Sequence, residues 1–237
     1  MPYEHVHRRE DILGTRNGDP RGSRKNKKKF IFIDVIGKKG VDPLKRDSKT
    51  ITWIVSVLAT CLSLFVLYYA VFGTVVAMKQ RAIVLLFSLV ICFLLFPLTK
   101  KQEEKLTFLD IVLAIVSIVV TTYVVMNFEN FILRAGKPTQ TDMIMGALAI
   151  LLVLESARRT IGWALPGIAA FFIFYAYFGN HFPGLFNHKG YSFNRIINHL
   201  YISTEGIFGT ALGVAATFVF LFILFGAFLE RSGAAQY

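Results

Sequence analysis

The chain has 237 residues, of which 54% are hydrophobic, 14% aromatic and only 17% charged. A soluble domain carries about 25% charged residues, and the apolar residues here, among them 23 phenylalanines, are gathered into long blocks, which excludes an ordinary soluble globule. The formal net charge of +11 is uneven, since residues 1–50 hold 14 Lys and Arg against 7 Asp and Glu.

Residues 1–29 are polar, broken by Gly and Pro, and end in "RGSRKNKKK". Such a stretch cannot bury enough apolar surface to offset its ordering entropy, so disorder is expected. Phe30–Asp47 starts apolar but is too short to span, and is expected at the membrane surface or under the bundle. A cleavable signal peptide is not expected, because the basic region is too long and no short apolar core follows the start. The expected first domain is therefore a basic cytoplasmic region over 1–50.

A helix needs roughly 20 apolar residues to cross a ~30 Å hydrocarbon core. Six blocks fit that expectation. The first is Ile51–Phe72, with Trp53 and Tyr68-Tyr69 near its two ends, where amphipathic rings favour the interfaces. The second is Ala82–Leu98, and the third is Thr107–Met126, with Asp110 in its first turn, where a carboxylate interacts favourably with the helix dipole. The fourth runs from about Asp142 to Ala157 and is preceded by Thr139-Gln140-Thr141-Asp142, which fits a capping box. The fifth is Ile161–Phe178, in which Pro166 is expected to remove a helix hydrogen bond and introduce a kink. The sixth is Ile207–Leu229. The fold class is thus all-α: a polytopic transmembrane bundle of about six spans.

Between the last two blocks, with Ser192 as N-cap, Phe193, Ile196, Ile197, Leu200 and Tyr201 fall on one helical face. Asn194, Arg195, Asn198 and His199 fall on the other. This predicts an amphipathic helix over 193–201 that either lies in the membrane interface or covers another subunit.

With the N-terminus inside, the inner segments carry 20 of the 26 Lys and Arg and the outer loops carry 6. Basic residues accumulate on the cytoplasmic side, so both ends of the chain are expected in the cytoplasm.

No catalytic, cofactor or metal site is expected. The chain contains no Walker-type phosphate loop, no His-Glu-x-x-His zinc helix and no GxSxG elbow. His5 and His7 lie in the tail, and His181, His188 and His199 lack an evident fourth ligand. Cys61 and Cys92 both fall inside apolar blocks and read as packing residues. Next to six spans, the "RKNKKK" run reads as a topology anchor touching anionic lipid rather than as a nucleic-acid site. The residues singled out are structural. Glu155 has Arg158 and Arg159 at i+3 and i+4, the spacing of helical ion pairs. These form either a paired anchor at the cytoplasmic surface or a contact to a partner helix. Gly209 and Gly213 are four apart, which suits a close helix-packing face. Glu230 and Arg231 mark the end of the sixth span, with Gly233 suited to a C-terminal turn.

Two stretches resemble a known family. "GALAILLVLESARRTIGWALPGIAAFFIFYAYFG" (Gly146–Gly179) and "HLYISTEGIFGTALGVAATFVFLFILFGAFLERSGA" (His199–Ala234) are similar to the fused membrane subunit of tripartite ATP-independent periplasmic (TRAP) transporters of the TAXI type. The resemblance runs in order over Gly146–Tyr237, while the part before it matches by topology more than by motif. It implies a four-helix small-subunit-like domain over 51–157 and the first two spans of a large permease subunit over 161–237. It also implies a multi-pass protein of the bacterial inner membrane and a solute uptake system driven by an ion gradient, with sodium as the coupling ion. The implied partners are a periplasmic solute-binding protein, the remainder of the large subunit and membrane lipid. The family's ion and substrate sites are expected beyond Tyr237, so the chain is expected to be an N-terminal portion that supplies scaffold helices. The alternative is a stand-alone membrane scaffold or assembly protein without transport activity; a membrane-embedded enzyme would need polar residues clustered at one depth, and none is evident.

Overall fold

The computed structural model describes residues 49–73, 75–98, 107–133 and 137–233. The basic tail with His5 and His7, the segment Phe30–Asp47 and the lysines Lys100, Lys101 and Lys105 lie outside them. The described residues are helical or loop, with no strand among them. In chain order they form α1 (Lys49–Phe72), α2 (Ala77–Leu95), α3 (Phe108–Leu133), α4 (Gln140–Thr160) and α5 (Ala164–Phe178). Then come α6 (Phe193–Ile197, continued by a wider π turn at Asn198–Ile202) and α7 (Thr210–Arg231). α7 also contains a π turn, Ala215–Val219.

Among the described residues five helices, α1 to α4 and α7, are long and apolar enough to cross a membrane. The fifth expected span is shorter than the sequence implied. The α4 helix runs on to Thr160, Gly162 breaks the chain at φ +100°, and Trp163 is the N-cap of a 15-residue α5. At 1.5 Å per residue α5 reaches about 22 Å, short of a ~30 Å core. Pro166 does not kink it. The first intrahelical bond runs from Gly167 N–H to Trp163 O at 2.9 Å, so Pro166 occupies the first turn, where a missing N–H breaks nothing.

The centre of the bundle is the antiparallel pair α2–α3, flanked by α4. Its core includes Met78, Ala82, Leu89 and Phe93 from α2, Val120 and Val124 from α3, and Leu152 from α4. In α2, 44% of the spanning window is buried inside the protein, against 11% in α1 and in α7. The outer helices therefore turn most of their apolar surface, including Trp53, Val71, Phe222 and Ile223, outward, as lipid solvent permits. A smaller cluster of Leu62, Val66, Val84 and Ala216 joins α1, α2 and α7.

Hydroxyls in the apolar helices fold back on their own backbone. Ser56, Thr60 and Ser63 of α1, and Ser117 and Thr121 of α3, each donate to the carbonyl four residues earlier at 2.6–2.9 Å. A polar group in lipid needs such a partner, and the helix itself supplies it.

Candidate functional site

Among the described residues, the charged side chains of the bundle collect at its two ends. At the first, the C-termini of α2 and α4 meet the N-terminus of α3. Arg159 Nη1 donates to Asp110 Oδ1 at 2.7 Å and to the Phe96 carbonyl at 2.9 Å, and Arg159 Nε donates to Glu155 Oε1 at 2.8 Å. Arg158 grips the same Glu155 through two bonds of 2.7 Å. The guanidinium of Arg159 also lies 5.1 Å above the Phe93 ring, and that of Arg158 lies 5.1 Å above Trp163. The side chains of Arg159 and Asp110 are fully buried. Two cations and two carboxylates balance, so the cluster carries no net charge into the protein interior, the condition under which buried ions are tolerated. It fastens three helices at one end.

The sequence places Glu155, Arg158 and Arg159 together by helical spacing alone. Asp110, read there as an isolated helix-end carboxylate, completes the group. The signal was that Asp110 and Arg159 both fall within a turn of a helix end on the same side of the expected topology.

At the opposite end lie the start of α4, the end of α3, the π turn of α6, and the starts of α2 and α7. Thr139 caps α4 in a full capping box: Asp142 N–H donates to Thr139 Oγ1 at 3.3 Å, and Thr139 N–H donates to Asp142 Oδ2 at 2.8 Å. Tyr123 O–H of α3 donates to the other oxygen of the buried Asp142 at 2.5 Å. The amphipathic segment rests on the chain's own helices. Ile197 and Tyr201 press against Gly146 of α4, where an added Cβ would lie 2.5 Å from Ile197 Cγ2. Tyr201 O–H donates to the Val120 carbonyl at 3.2 Å. Burial, with smaller contributions from Tyr123 and Asp142, holds the Tyr201 hydroxyl protonated far above its ordinary range. Phe193, expected on the same apolar face, is 47% exposed. The buried side of the segment is formed by Ile196, Ile197 and Tyr201, the last within the π turn at Asn198–Ile202.

Of the two glycines expected on a helix-packing face, only Gly213 lies within α7. Gly209 is the extended N-cap of α7, outside the helix. Gly213 is inside it, and its missing side chain makes room for Arg81, since a Cβ there would sit 2.7 Å from Nη2. Arg81 Nη1 donates to the Phe208 carbonyl at 2.7 Å. The neighbouring Gln80, 1% exposed, reaches the Ala216 carbonyl at 3.5 Å. Ala216 lies within the π turn of α7, where i→i−4 bonding is interrupted and a carbonyl can receive a side-chain donor. The sequence read Arg81 as an outer-loop charge and gave Gln80 no role. Because α2 begins at Ala77, five residues before the expected start, both fall inside a helix, and they tie α2 to α7.

The remaining candidates stand apart. Glu230 and Arg231 are exposed in the last turn of α7, and Gly233 follows at φ +77°. His188 is held in the loop after α5: Gly190 N–H donates to Nδ1 at 3.0 Å, and Nε2 lies 3.2 Å from the Tyr175 carbonyl. Among the described residues no three His, Cys, Asp or Glu side chains lie close enough together to hold a metal ion.

The geometry therefore defines a multi-pass membrane helix bundle fastened by polar clusters at both ends. The family model described as "Tripartite ATP-independent periplasmic transporter, DctM component" matches residues 148–237. This supports a TRAP transporter membrane component, a family of transporter subunits and not of enzymes. The matched region starts inside α4, upstream of the boundary expected at Ile161, and includes α5, α6 and α7. No curated protein and no solved structure matches the chain.

Proposed function

We propose that the chain is a scaffold-forming portion of a fused, TAXI-type TRAP permease. Its transport is driven by a sodium gradient and fed by a periplasmic solute-binding protein. The DctM match over residues 148–237 carries this reading. In the bacterial inner membrane the Arg159 cluster would face the cytoplasm, with both chain ends on that side, and α6 would face the periplasm. The α1–α4 part (51–157) would act as a small-subunit-like stator and 161–237 as the beginning of the large subunit.

The packing is in keeping with that role. Among the described residues, the bonds that hold the matched region to the preceding helices include Arg159 to Asp110 and Phe96, Tyr201 to Val120, and Arg81 with Gln80 to the α7 end. A stator must hold its permease elements at fixed depth, and bonds at both ends of the bundle do so.

The test is solute uptake by vesicles carrying the complete permease, with a periplasmic solute-binding protein from the same cells added or withheld. Uptake is expected to require both the binding protein and an inward sodium gradient, and to fall sharply when 193–201 is deleted. Uptake with a proton gradient alone, or without the binding protein, overturns the mechanism. Absence of transport under every gradient favours the scaffold reading.

A further inference from the structure

We propose that the cavity between α5 and α6 is a binding site for a phospholipid with an anionic headgroup. Its acyl chain would lie along α5, and its phosphate would lie on Arg195 and His199.

The cavity holds about 430 Å³, within the range that accommodates small ligands. One wall is the apolar face of α5, formed by Phe172, Ile173 and Ala176, residues that recur at i, i+1 and i+4. The other wall is α6, which presents Arg195 and His199 one turn apart, both exposed. Tyr191 closes the rim, and its ring lies 5.1 Å beneath the Arg195 guanidinium. That contact orients the guanidinium without using its N–H donors, because it engages the aromatic face.

Charge decides the occupant. The two arginines at the other end of the bundle are matched to Glu155 and Asp110, and Lys79 lies 3.6 Å from Glu129. Among the described residues no carboxylate lies within ion-pair distance of Arg195. A cation left uncompensated over an apolar cavity at a helix end fits a ligand that is anionic at one end and hydrocarbon at the other. Phe171, Phe174 and Phe178 are exposed on the same stretch of α5, a surface suited to contact with the bilayer from which such a ligand would enter. Guanidinium recognises phosphate oxygens through paired N–H donors, and an imidazole N–H adds one more.

The experiment is native mass spectrometry of the full chain in detergent, titrated with phosphatidylglycerol or with phosphatidylcholine of the same acyl chains. The wild-type chain is expected to retain phosphatidylglycerol about fivefold better, the scale of one basic side chain acting on an anionic lipid. Arg195→Gln, a change at an exposed side chain, should bring the two lipids near parity with an unchanged unfolding temperature. Ala176→Trp, which fills the cavity, should reduce retention of both. Lys189→Gln, which removes a nearby cation that does not line the cavity, should leave the preference intact. Parity in the wild type, a preference that survives Arg195→Gln, or an equal loss in Lys189→Gln would each overturn the proposal, the last by showing diffuse surface charge.

Discussion

The two ends of the bundle each hold an arginine against the helices, one fully buried and one half-buried, and they hold it differently. Arg159 is fully enclosed and meets two carboxylates, a carbonyl and an aromatic face. Arg81 is half-buried, meets no carboxylate among the described residues, and is held by the Phe208 carbonyl and by the space that Gly213 leaves open. A charge removed entirely from water needs a counter-charge, whereas one that keeps part of its hydration needs only an acceptor and room. The first arrangement is a fixed brace. The second is a lighter catch between α2 and α7.

The largest expected effect tests the brace. Arg159→Met takes the guanidinium away from two carboxylates and should lower stability by about 3–5 kcal/mol, read from chemical unfolding in mixed micelles. Pairing it with Asp110→Asn should recover part of the loss, since removing both members of a buried pair costs less than removing one. If Arg159→Met alone were neutral, the contrast between the two ends would collapse.

Arg81→Met should cost less, about 1.5–3 kcal/mol for a lost charge-assisted bond. Its signature is local: amide exchange should rise at the start of α7 and around Phe208 while α4 stays protected. Exchange rising equally throughout would mean that α2 and α7 are not joined mainly through this contact.

Thr139→Ala removes the side-chain half of the α4 cap and should cost about 1 kcal/mol, measured by the same unfolding experiment. Tyr123 bonds the Asp142 carboxylate, whereas Thr139 Oγ1 accepts from the Asp142 backbone N–H, so Tyr123→Phe/Thr139→Ala should lose about the sum of the single changes, and a clearly larger loss would show that the two contacts are coupled. The smallest effect is expected at Arg231→Gln. This exposed residue lies in the last turn of α7, and its change should stay within about 0.5 kcal/mol.

Much of this protein can be read along the chain, because those features depend on neighbours within one helix. Apolar block length predicts the long spans α1 to α4 and α7. The spacing Glu155-x-x-Arg158-Arg159 predicts an ion pair, and Thr139-x-x-Asp142 predicts the cap; both are contacts between residues three or four apart. The resemblance over Gly146–Tyr237 points to the same family as the match over 148–237.

What fails to read along the chain depends on distances between helices. Asp110 and Arg159 are 49 positions apart and meet only because α3 and α4 run antiparallel with their ends level. Gly213 looks like half of a helix-packing motif until Arg81, from a helix more than a hundred residues earlier, is seen to occupy its space. Pro166 looks like a kink until Gly162 starts the helix late enough to put it in the first turn. Local pattern fixes which segments are helices, because 3.6-residue periodicity and capping are intrahelical. Only tertiary packing decides which polar groups share one desolvated space, because that is set by where whole helices end relative to one another.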